Sequence, residues 1–153
     1  MHKGLKKIFK EDQIDRRGNL PSSKIIKRDF LRKQKVEKLL RSNNLKTGQD
    51  YYYAAMILHH SGKKKYTRKA IQLLEKSIDL GYKKARWLYA AAFDRLLLLQ
   101  GRKQRFGTQF KKEKNGLWKL YPVDNKTTDR DRITYNVPPM NKIKEQLKKW
   151  NSH

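Results

Sequence analysis

The apolar residues of this chain concentrate between positions 50 and 100, where their spacing predicts three consecutive helices. Thr47 and Asp50 match the capping-box pattern, so the first of these helices is predicted over Gln49–Ser61. The third is predicted over Lys83–Gln100. It is apolar on nearly every face, which predicts that it lies at the centre of the core.

The middle helix of the three is predicted to begin with Thr67 as its cap and to end at Gly81. Its apolar and small residues recur at helical spacing, which predicts one face turned to the core. That face comprises Ala70, Leu73, Leu74, Ser77 and Ile78.

A stripe of residues on the first predicted helix, Leu5–Arg17, changes from apolar to charged without leaving one face. Asp12 and Arg16 continue this stripe at i,i+4 spacing. One interpretation is an ordinary surface ion pair, which is common at this spacing and is the favoured reading. The other is a polar pair directed inward.

The second helix is predicted over about Ser23–Arg41. Its apolar side chains are Phe30, Leu31, Val36, Leu39 and Leu40. Its polar face is predicted to carry Arg28, Arg32, Lys35 and Lys38.

The last third of the chain has a different pattern. Asn115-Gly116, flanked by 108–110 and 117–121, predicts a two-stranded hairpin. Thr128 and Asp131 predict a capped short helix. A final amphipathic helix follows Pro138-Pro139, with Ile143, Leu147 and Trp150 on one face.

Together these elements predict a single, mainly α domain with a short helical-hairpin core and one small β-hairpin near the C-terminal third. Its parts are basic N-terminal helices over 1–47, the αα core over 48–100, and the ribbon with the C-terminal helices over 101–153.

The net charge of +25 and the pI near 10.3 indicate what kind of partner the protein binds. Such charge opposes compaction unless something negative neutralises it, and a phosphate backbone is the commonest such partner. The alternative is a generally lysine-rich surface without a specific partner. We favour a non-enzymatic RNA-binding protein, as an accessory component of a ribosome or another ribonucleoprotein. The cations predicted to meet phosphates are Lys63, Lys64, Lys65, Lys83, Lys84, Arg102, Lys103, Arg105, Lys111 and Lys112.

Four aromatic residues lie among these charges: Tyr51, Tyr66, Tyr82 and Trp118. Aromatic rings next to cations can stack on unpaired bases. Packing in a small helical core is an equally good explanation of the same rings.

No standard catalytic or cofactor motif is present in the sequence. The chain has no cysteine, which excludes disulfides and thiolate metal sites. His59 and His60 are adjacent, so on a helix their rings point about 100° apart and do not easily share a metal. We therefore predict no cofactor and no metal.

The paired helices of the central region resemble SEL-type tetratricopeptide-like repeats, and they cover about one and a half units. Seven residues carry this resemblance: Ala54-Ala55, Gly62, Lys69-Ala70, Gly81 and Ala85. The repeat then fails, which argues against a long solenoid.

A series of short polar motifs, in a fixed order across nearly the whole chain, resembles a bacterial family of domains of unknown function with a Gly-Thr-Gln signature. The motifs are Asp12-Gln13 with Arg16, His60 after Ala54-Ala55-Met56, Asp94-Arg95, Gln104 with Phe106-Gly107-Thr108-Gln109-Phe110, and Pro122-Val123-Asp124 before Val137-Pro138-Pro139. The resemblance implies a single helical domain of that kind and brings no activity with it.

These polar motifs support an alternative function as an enzyme or a small-molecule-binding domain. In one cleft, His60 could act as general acid–base and the arginines as an anion clamp. The structural alternative is a buried network that holds the first helix and the 107–110 segment onto the third apolar helix. The candidate residues are Asp12, Arg16, His60, Asp94, Arg95, Gln104 and Gln109.

A protein partner bound through the helical core ranks below both alternatives, because one and a half repeats offer little groove. No apolar run is long enough to span a membrane. The basic start of the chain is soon followed by Glu11, Asp12 and Asp15, so a transit peptide is not predicted. A cytoplasmic location is the resulting expectation.

Overall fold

The computed structural model describes residues 1–152, in which two compact units follow each other along the chain. The N-terminal unit is Met1–Ala85, and the C-terminal unit begins at Arg86. Seven helices and one two-stranded antiparallel sheet form within the described residues. The predicted mainly α fold with one small hairpin late in the chain is therefore confirmed.

The N-terminal unit consists of four helices. They are α1 (Lys3–Arg17), α2 (Ser22–Arg41), α3 (Gly48–His59) and α4 (Lys64–Asp79). The start of α3 lies against the end of α4, so the two helices form a close hairpin. A Cβ on Gly48 would lie only 2.8 Å from the Tyr82 Cβ, which explains why the smallest residue occupies this position.

Local capping signals located most ends of the α3–α4 hairpin. Thr47 and Asp50 form the predicted capping box, and α4 ends in a Schellman motif at Gly81, with the Tyr82 amide donating to the Ser77 carbonyl at 3.0 Å. The predicted Thr67 cap is wrong. Helix α4 begins earlier, after Lys63, and the buried Thr67 donates its hydroxyl to the Lys63 carbonyl one turn back.

Helix α2 presents a different face to the unit than its apolar residues predict. Phe30 and Leu31 are 52% and 55% exposed, whereas Arg32, predicted on the polar face, is only 4% exposed. Val36 is buried as expected. The reason is electrostatic, because carboxylates on α1 form ion pairs with Arg32 and so orient α2.

The C-terminal unit combines helices with a β-ribbon. Its elements are α5 (Ala85–Leu99), β1 (Phe110–Lys112), β2 (Trp118–Leu120), α6 (Asp129–Thr134) and α7 (Met140–Asn151). Its buried core comprises Ala90, Phe106, Val137 and Ile143. The predicted all-round burial of α5 is wrong, because Trp87 is 45% and Leu99 is 37% exposed.

The hairpin predicted at Asn115-Gly116 is present. Gly116 adopts a φ of +83°, which favours glycine, and its amide donates to the Glu113 carbonyl at 2.9 Å. The first strand is Phe110–Lys112 and not 108–110. Thr108 and Gln109 are instead committed to hydrogen bonds with buried side chains, which the next subsection describes.

Candidate functional site

The first group of candidate residues meets inside the N-terminal unit. Asp12 is fully buried on α1, and its carboxylate accepts a hydrogen bond from the Gln13 side-chain Nε2 at 2.9 Å. It lies 3.3 Å from the Arg16 guanidinium and 3.0 Å from the His60 Nδ1. The inward-directed interpretation of Asp12 and Arg16 is therefore correct, and the surface ion-pair interpretation is wrong.

His60 contacts both of these partners through one ring nitrogen. Its Nδ1 lies 2.8 Å from the Arg16 Nε donor and 3.0 Å from the Asp12 carboxylate. A single nitrogen either accepts from Arg16 or donates to Asp12, so only one of these bonds forms in a given protonation state. In either state Nδ1 is committed to the network, which favours a role in holding α1 against the end of α3.

The network extends to α2 through residues that sequence reasoning did not select. Arg32 donates to Asp15 at 2.7 Å and to Asp29 at 3.1 Å, and its Nε lies 4.0 Å from Asp12. Arg16 also donates to Asp29 at 2.9 Å. The signal for Asp15 was its i,i+3 spacing from Asp12, which places both carboxylates on one face of α1.

Asp12 makes the stability of this network depend on pH. Burial raises the pKa of its carboxyl, but the hydrogen bond and charge of His60 and the charge of Arg16 outweigh burial and hold the pKa below its ordinary value of 3.8. A carboxyl with a lowered folded pKa stabilises the fold at pH values above 3.8. That stabilisation is lost as the pH falls through the folded pKa.

We therefore expect the Asp12→Asn variant to be less stable than the parent at neutral pH, and the difference to shrink below about pH 4. Urea unfolding at a series of pH values measures both curves. Glu11→Gln, an exposed change one residue away, serves as the control and should leave the pH dependence nearly unchanged. A difference between Asp12→Asn and the parent that stays constant at every pH would contradict the role of this carboxyl.

The second group of candidates surrounds Asp94 in the C-terminal unit. The Asp94 carboxylate is fully buried and accepts five hydrogen bonds. Four come from consecutive backbone amides, over 105–108, at 2.7–3.0 Å, and the fifth comes from the Thr108 hydroxyl at 2.7 Å. Gly107 makes this wrap possible, since its φ of +95° favours glycine. The carboxylate therefore fastens the loop to α5.

Gln104 and Gln109 extend this network to the β-ribbon. The fully buried Gln104 side chain accepts a hydrogen bond from the Gln109 backbone N–H at 2.9 Å. It also donates to the backbone carbonyls of Gln109 and Tyr121 at 3.0 and 2.8 Å. The Gln109 side chain donates to the Ala91 carbonyl on α5 at 3.3 Å. The 107–110 segment is thus held onto α5, as the structural interpretation predicted. The same interpretation expected the network to hold the first helix onto α5, and this part is wrong, because Asp12 and Arg16 pair with α2 and His60 inside the N-terminal unit.

Arg132 is a further member of this assembly that the sequence did not reveal. It is buried, and its Nε donates to the Phe106 carbonyl at 2.9 Å while Nη1 donates to Asp129 at 3.0 Å. The available signal was Asp129 three residues earlier on a capped helix, which is a common pairing distance. Arg132 locks α6 onto the loop that Asp94 holds.

The candidates therefore form two internally paired groups. Asp12, Arg16 and His60 come together in the N-terminal unit, and Asp94, Gln104 and Gln109 come together in the C-terminal unit. Arg95 lies half-buried on α5. Because hydrogen bonds within each unit engage these side chains, both groups support the fold in the way buried polar networks usually do.

His59 and His60 do not form a metal site with other ligand side chains in the part of the chain that the structure describes. The His59 and His60 rings lie 6.1 Å apart between centroids. Across residues 1–152, no group of three or more histidine, cysteine, aspartate or glutamate side chains could hold a metal ion.

The surface is more basic than the composition indicates. All but seven of the 39 lysine and arginine side chains are exposed, whereas only five of the 14 acidic side chains are. Four carboxylates are buried in the networks and caps: Asp12, Asp15, Asp50 and Asp94. All ten cations predicted to meet phosphates are exposed.

The N-terminal unit concentrates part of this charge in a groove of about 460 Å³ between the end of α2 and the start of α4. Leu40 and Leu58 supply its apolar lining, and Glu37 is its only acidic residue. Its cations are Arg41, Lys65, Arg68 and Lys69, and Tyr66 and Gln72 complete it. We call this cleft the basic groove.

The aromatic residues predicted to stack on bases divide into two classes. Tyr51 is 6% exposed and donates its hydroxyl to the Leu45 carbonyl at 2.9 Å, so of its two predicted roles the structure supports core packing and not stacking. Tyr82 packs on Tyr52 with ring centroids 5.1 Å apart. Tyr66 lines the basic groove, and Trp118 is 38% exposed on the β-ribbon.

Comparison with known proteins gives no relative: no family model, no curated protein and no solved structure matches this chain. None of the helices within residues 1–152 combines the length and apolar character that crossing a membrane requires.

Proposed function

We propose that this protein binds the phosphate backbone of RNA, without catalysis and without strong sequence preference. The observation that carries the proposal is the basic groove, in which four cations face one carboxylate beside an exposed run of lysines at the start of α4. Structured RNA, in a ribosome or another ribonucleoprotein, is the proposed partner.

The groove has the physical features of a phosphate site. Each phosphate neutralised by lysine or arginine releases condensed counterions, which drives binding at low salt. Arg41 and Arg68 add planar guanidinium groups that can pair with two phosphate oxygens at once. The first turn of α4 contains no acidic residue, so the positive end of its helix dipole adds to the attraction.

No observation favours the alternative of catalysis by the polar residues. Asp94 already accepts five hydrogen bonds, and Asp12 and His60 are paired with each other and with Arg16. A general acid–base residue needs an atom that can reach a substrate, and the Asp94 oxygens and the His60 Nδ1 are already engaged inside the protein. The relationship to the Gly-Thr-Gln family stays a prediction, and it implies no activity that would change this proposal.

The test removes three cations from the groove. We expect the triple variant Lys65→Gln, Arg68→Gln and Lys69→Gln to bind duplex RNA at least about tenfold more weakly at low salt, because three phosphate contacts are lost. The slope of log affinity against log salt should become shallower by about 2.7, since each lost phosphate contact on a duplex changes it by about 0.9. Fluorescence anisotropy of labelled RNA across a salt series measures both quantities.

The matched control removes the same charge from exposed positions of α1, in the triple variant Lys3→Gln, Lys7→Gln and Lys10→Gln. This control should lose much less affinity, since its lysines lie outside the groove. Equal losses in both variants would mean that RNA responds to net charge and not to the groove. Binding that is absent at low salt, or insensitive to salt, would overturn the proposal.

A further inference from the structure

A second groove, of about 410 Å³, lies in the C-terminal unit and is lined by large aromatic side chains. Trp87 of α5, Phe110 of β1 and Trp150 of α7 all contribute to it. Val137 and Ile143, both buried, close its floor. Its volume is within the usual range of small-ligand sites, about 300–1,000 Å³. We call it the aromatic groove.

Two of these rings remain open to solvent. Trp87 is 45% exposed and Trp150 is 43% exposed. Exposed tryptophans that line one concave surface are unusual for a folded unit and indicate a site of interaction.

Contacts with the β-ribbon position the Trp150 ring. The Trp150 and Phe110 rings meet edge to face at 4.9 Å, and Trp118 lies 5.9 Å from Trp150. The Asn151 side chain both accepts from the Trp118 amide and donates to its carbonyl, each at 2.8 Å. This pair of bonds fastens the end of α7 to β2, so the rings are positioned before any ligand arrives.

Two lysines line the aromatic groove, and a third lies on the neighbouring Trp118 ring. Lys142 and Lys149 line the groove, together with Glu145, whose carboxylate lies 3.0 Å from the Lys142 ammonium. Lys112 lies 5.8 Å from the centre of the Trp118 ring. Flat rings among lysines fit a ligand that has apolar faces and a negative backbone, which is the chemistry of an unpaired nucleotide strand.

We infer that the aromatic groove binds unpaired bases of single-stranded RNA by stacking on Trp87 and Trp150. The inference rests on the proposed function for the class of ligand, but it assigns a separate site in the C-terminal unit and a preference for unpaired over duplex segments. A duplex keeps its bases stacked on each other, so it offers the groove only its phosphates.

The chain supplies its own reporter for the test. Its three tryptophans are Trp87, Trp118 and Trp150, all in the C-terminal unit, so intrinsic tryptophan fluorescence reports on this unit alone. Titration with a short unpaired RNA oligonucleotide should quench this fluorescence. An abasic strand of the same length, which keeps the phosphates and lacks the bases, should bind more weakly and leave the fluorescence nearly unchanged.

The variants separate stacking from general charge. Trp87→Ala and Trp150→Ala should each weaken binding of the unpaired oligonucleotide by about tenfold, the effect of losing one stacked base, and should leave duplex binding unchanged. Ile133→Ala, which removes another exposed apolar side chain from the same unit outside the groove, should change neither. Trp87→Ala remains informative if Trp150→Ala disturbs folding, because Trp87 lies on a different helix.

The outcomes distinguish this inference from the proposed function. If duplex and unpaired RNA bind with equal affinity and neither quenches the fluorescence, the inference about the aromatic groove is overturned and phosphate binding is not. Quenching by anionic lipid vesicles but not by unpaired RNA would also overturn it, in favour of a membrane surface. Loss of duplex binding in the basic-groove variant, with quenching by unpaired RNA retained, would support two separate sites.

Discussion

Replacing Asp94 with asparagine is expected to lower the free energy of unfolding by about 3–5 kcal/mol. Asparagine retains one oxygen, which can still accept from two of the amides that Asp94 now binds. Its NH₂ group would face the Gly107 and Thr108 amides, which are donors too, and would leave them without an acceptor in a buried site. Each unsatisfied buried amide costs about 1–3 kcal/mol.

Urea unfolding followed by tryptophan fluorescence measures this effect, since all three tryptophans lie in the same unit as Asp94. Hydrogen exchange adds a local measurement, because the amides of Gly107 and Thr108 should exchange faster in the variant. Glu145→Gln is the control. It also removes one negative charge but acts at an exposed ion pair, where a change within about 0.5 kcal/mol is expected.

A loss of stability no larger than that of Glu145→Gln would show that the Asp94 hydrogen bonds do not hold the loop in solution. Unchanged exchange at Gly107 and Thr108 would lead to the same conclusion by an independent measurement.

Replacing Arg32 with glutamine is the second change with a large expected effect, also about 3–5 kcal/mol. Arg32 is 4% exposed and pairs with Asp15 and Asp29, while Asp12 lies nearby. Without its guanidinium, the buried Asp15 carboxylate would lose a cation in a region where charge is costly to bury.

Arg28→Gln is a closely matched control, because Arg28 pairs with the same Asp15 carboxylate from an exposed position. We expect this variant to lose no more than about 1 kcal/mol. A double-mutant cycle of Arg32→Gln and Asp15→Asn should give a coupling energy above about 1 kcal/mol, since the two residues act as a pair. Equal losses for Arg28→Gln and Arg32→Gln would contradict the burial argument.

Local patterns predicted a large part of this fold correctly because they depend on residues close in sequence. The capping boxes at Thr47 and Thr128, the end of α4 at Gly81 and the hairpin around Gly116 all formed as expected. In each case, a hydrogen bond or a backbone angle spans only a few residues, so no distant partner is needed.

The clearest error came where a distant charge outweighed local hydrophobicity. Phe30 and Leu31 were expected to form the apolar side of α2, but Arg32 takes the inward position because Asp15 on α1 binds it. For Tyr51 the sequence left stacking and core packing equally open, and its burial and its hydrogen bond to the Leu45 carbonyl favour packing. A periodicity argument counts apolar residues and has no means of weighing a specific ion pair.

The candidate polar residues show the same division. Their order along the chain was enough to select Asp12, Asp94 and Gln104, which are all fully buried. Their roles depended on partners that lie up to 48 residues away, as in the contact between Asp12 and His60. The basic groove and the aromatic groove also combine side chains from separate helices, which no single stretch of sequence contains.

The sequence by itself determined the helical class, most helix ends, the hairpin and the excess of positive charge, because each follows from composition or from short-range geometry. Only the tertiary structure decided which carboxylates are buried and which aromatic rings remain exposed. Burial depends on how whole elements pack, and packing depends on all contacts at once. Burial makes Asp94 an internal hydrogen-bond acceptor for the 105–108 loop, whereas Trp87 and Trp150 remain exposed.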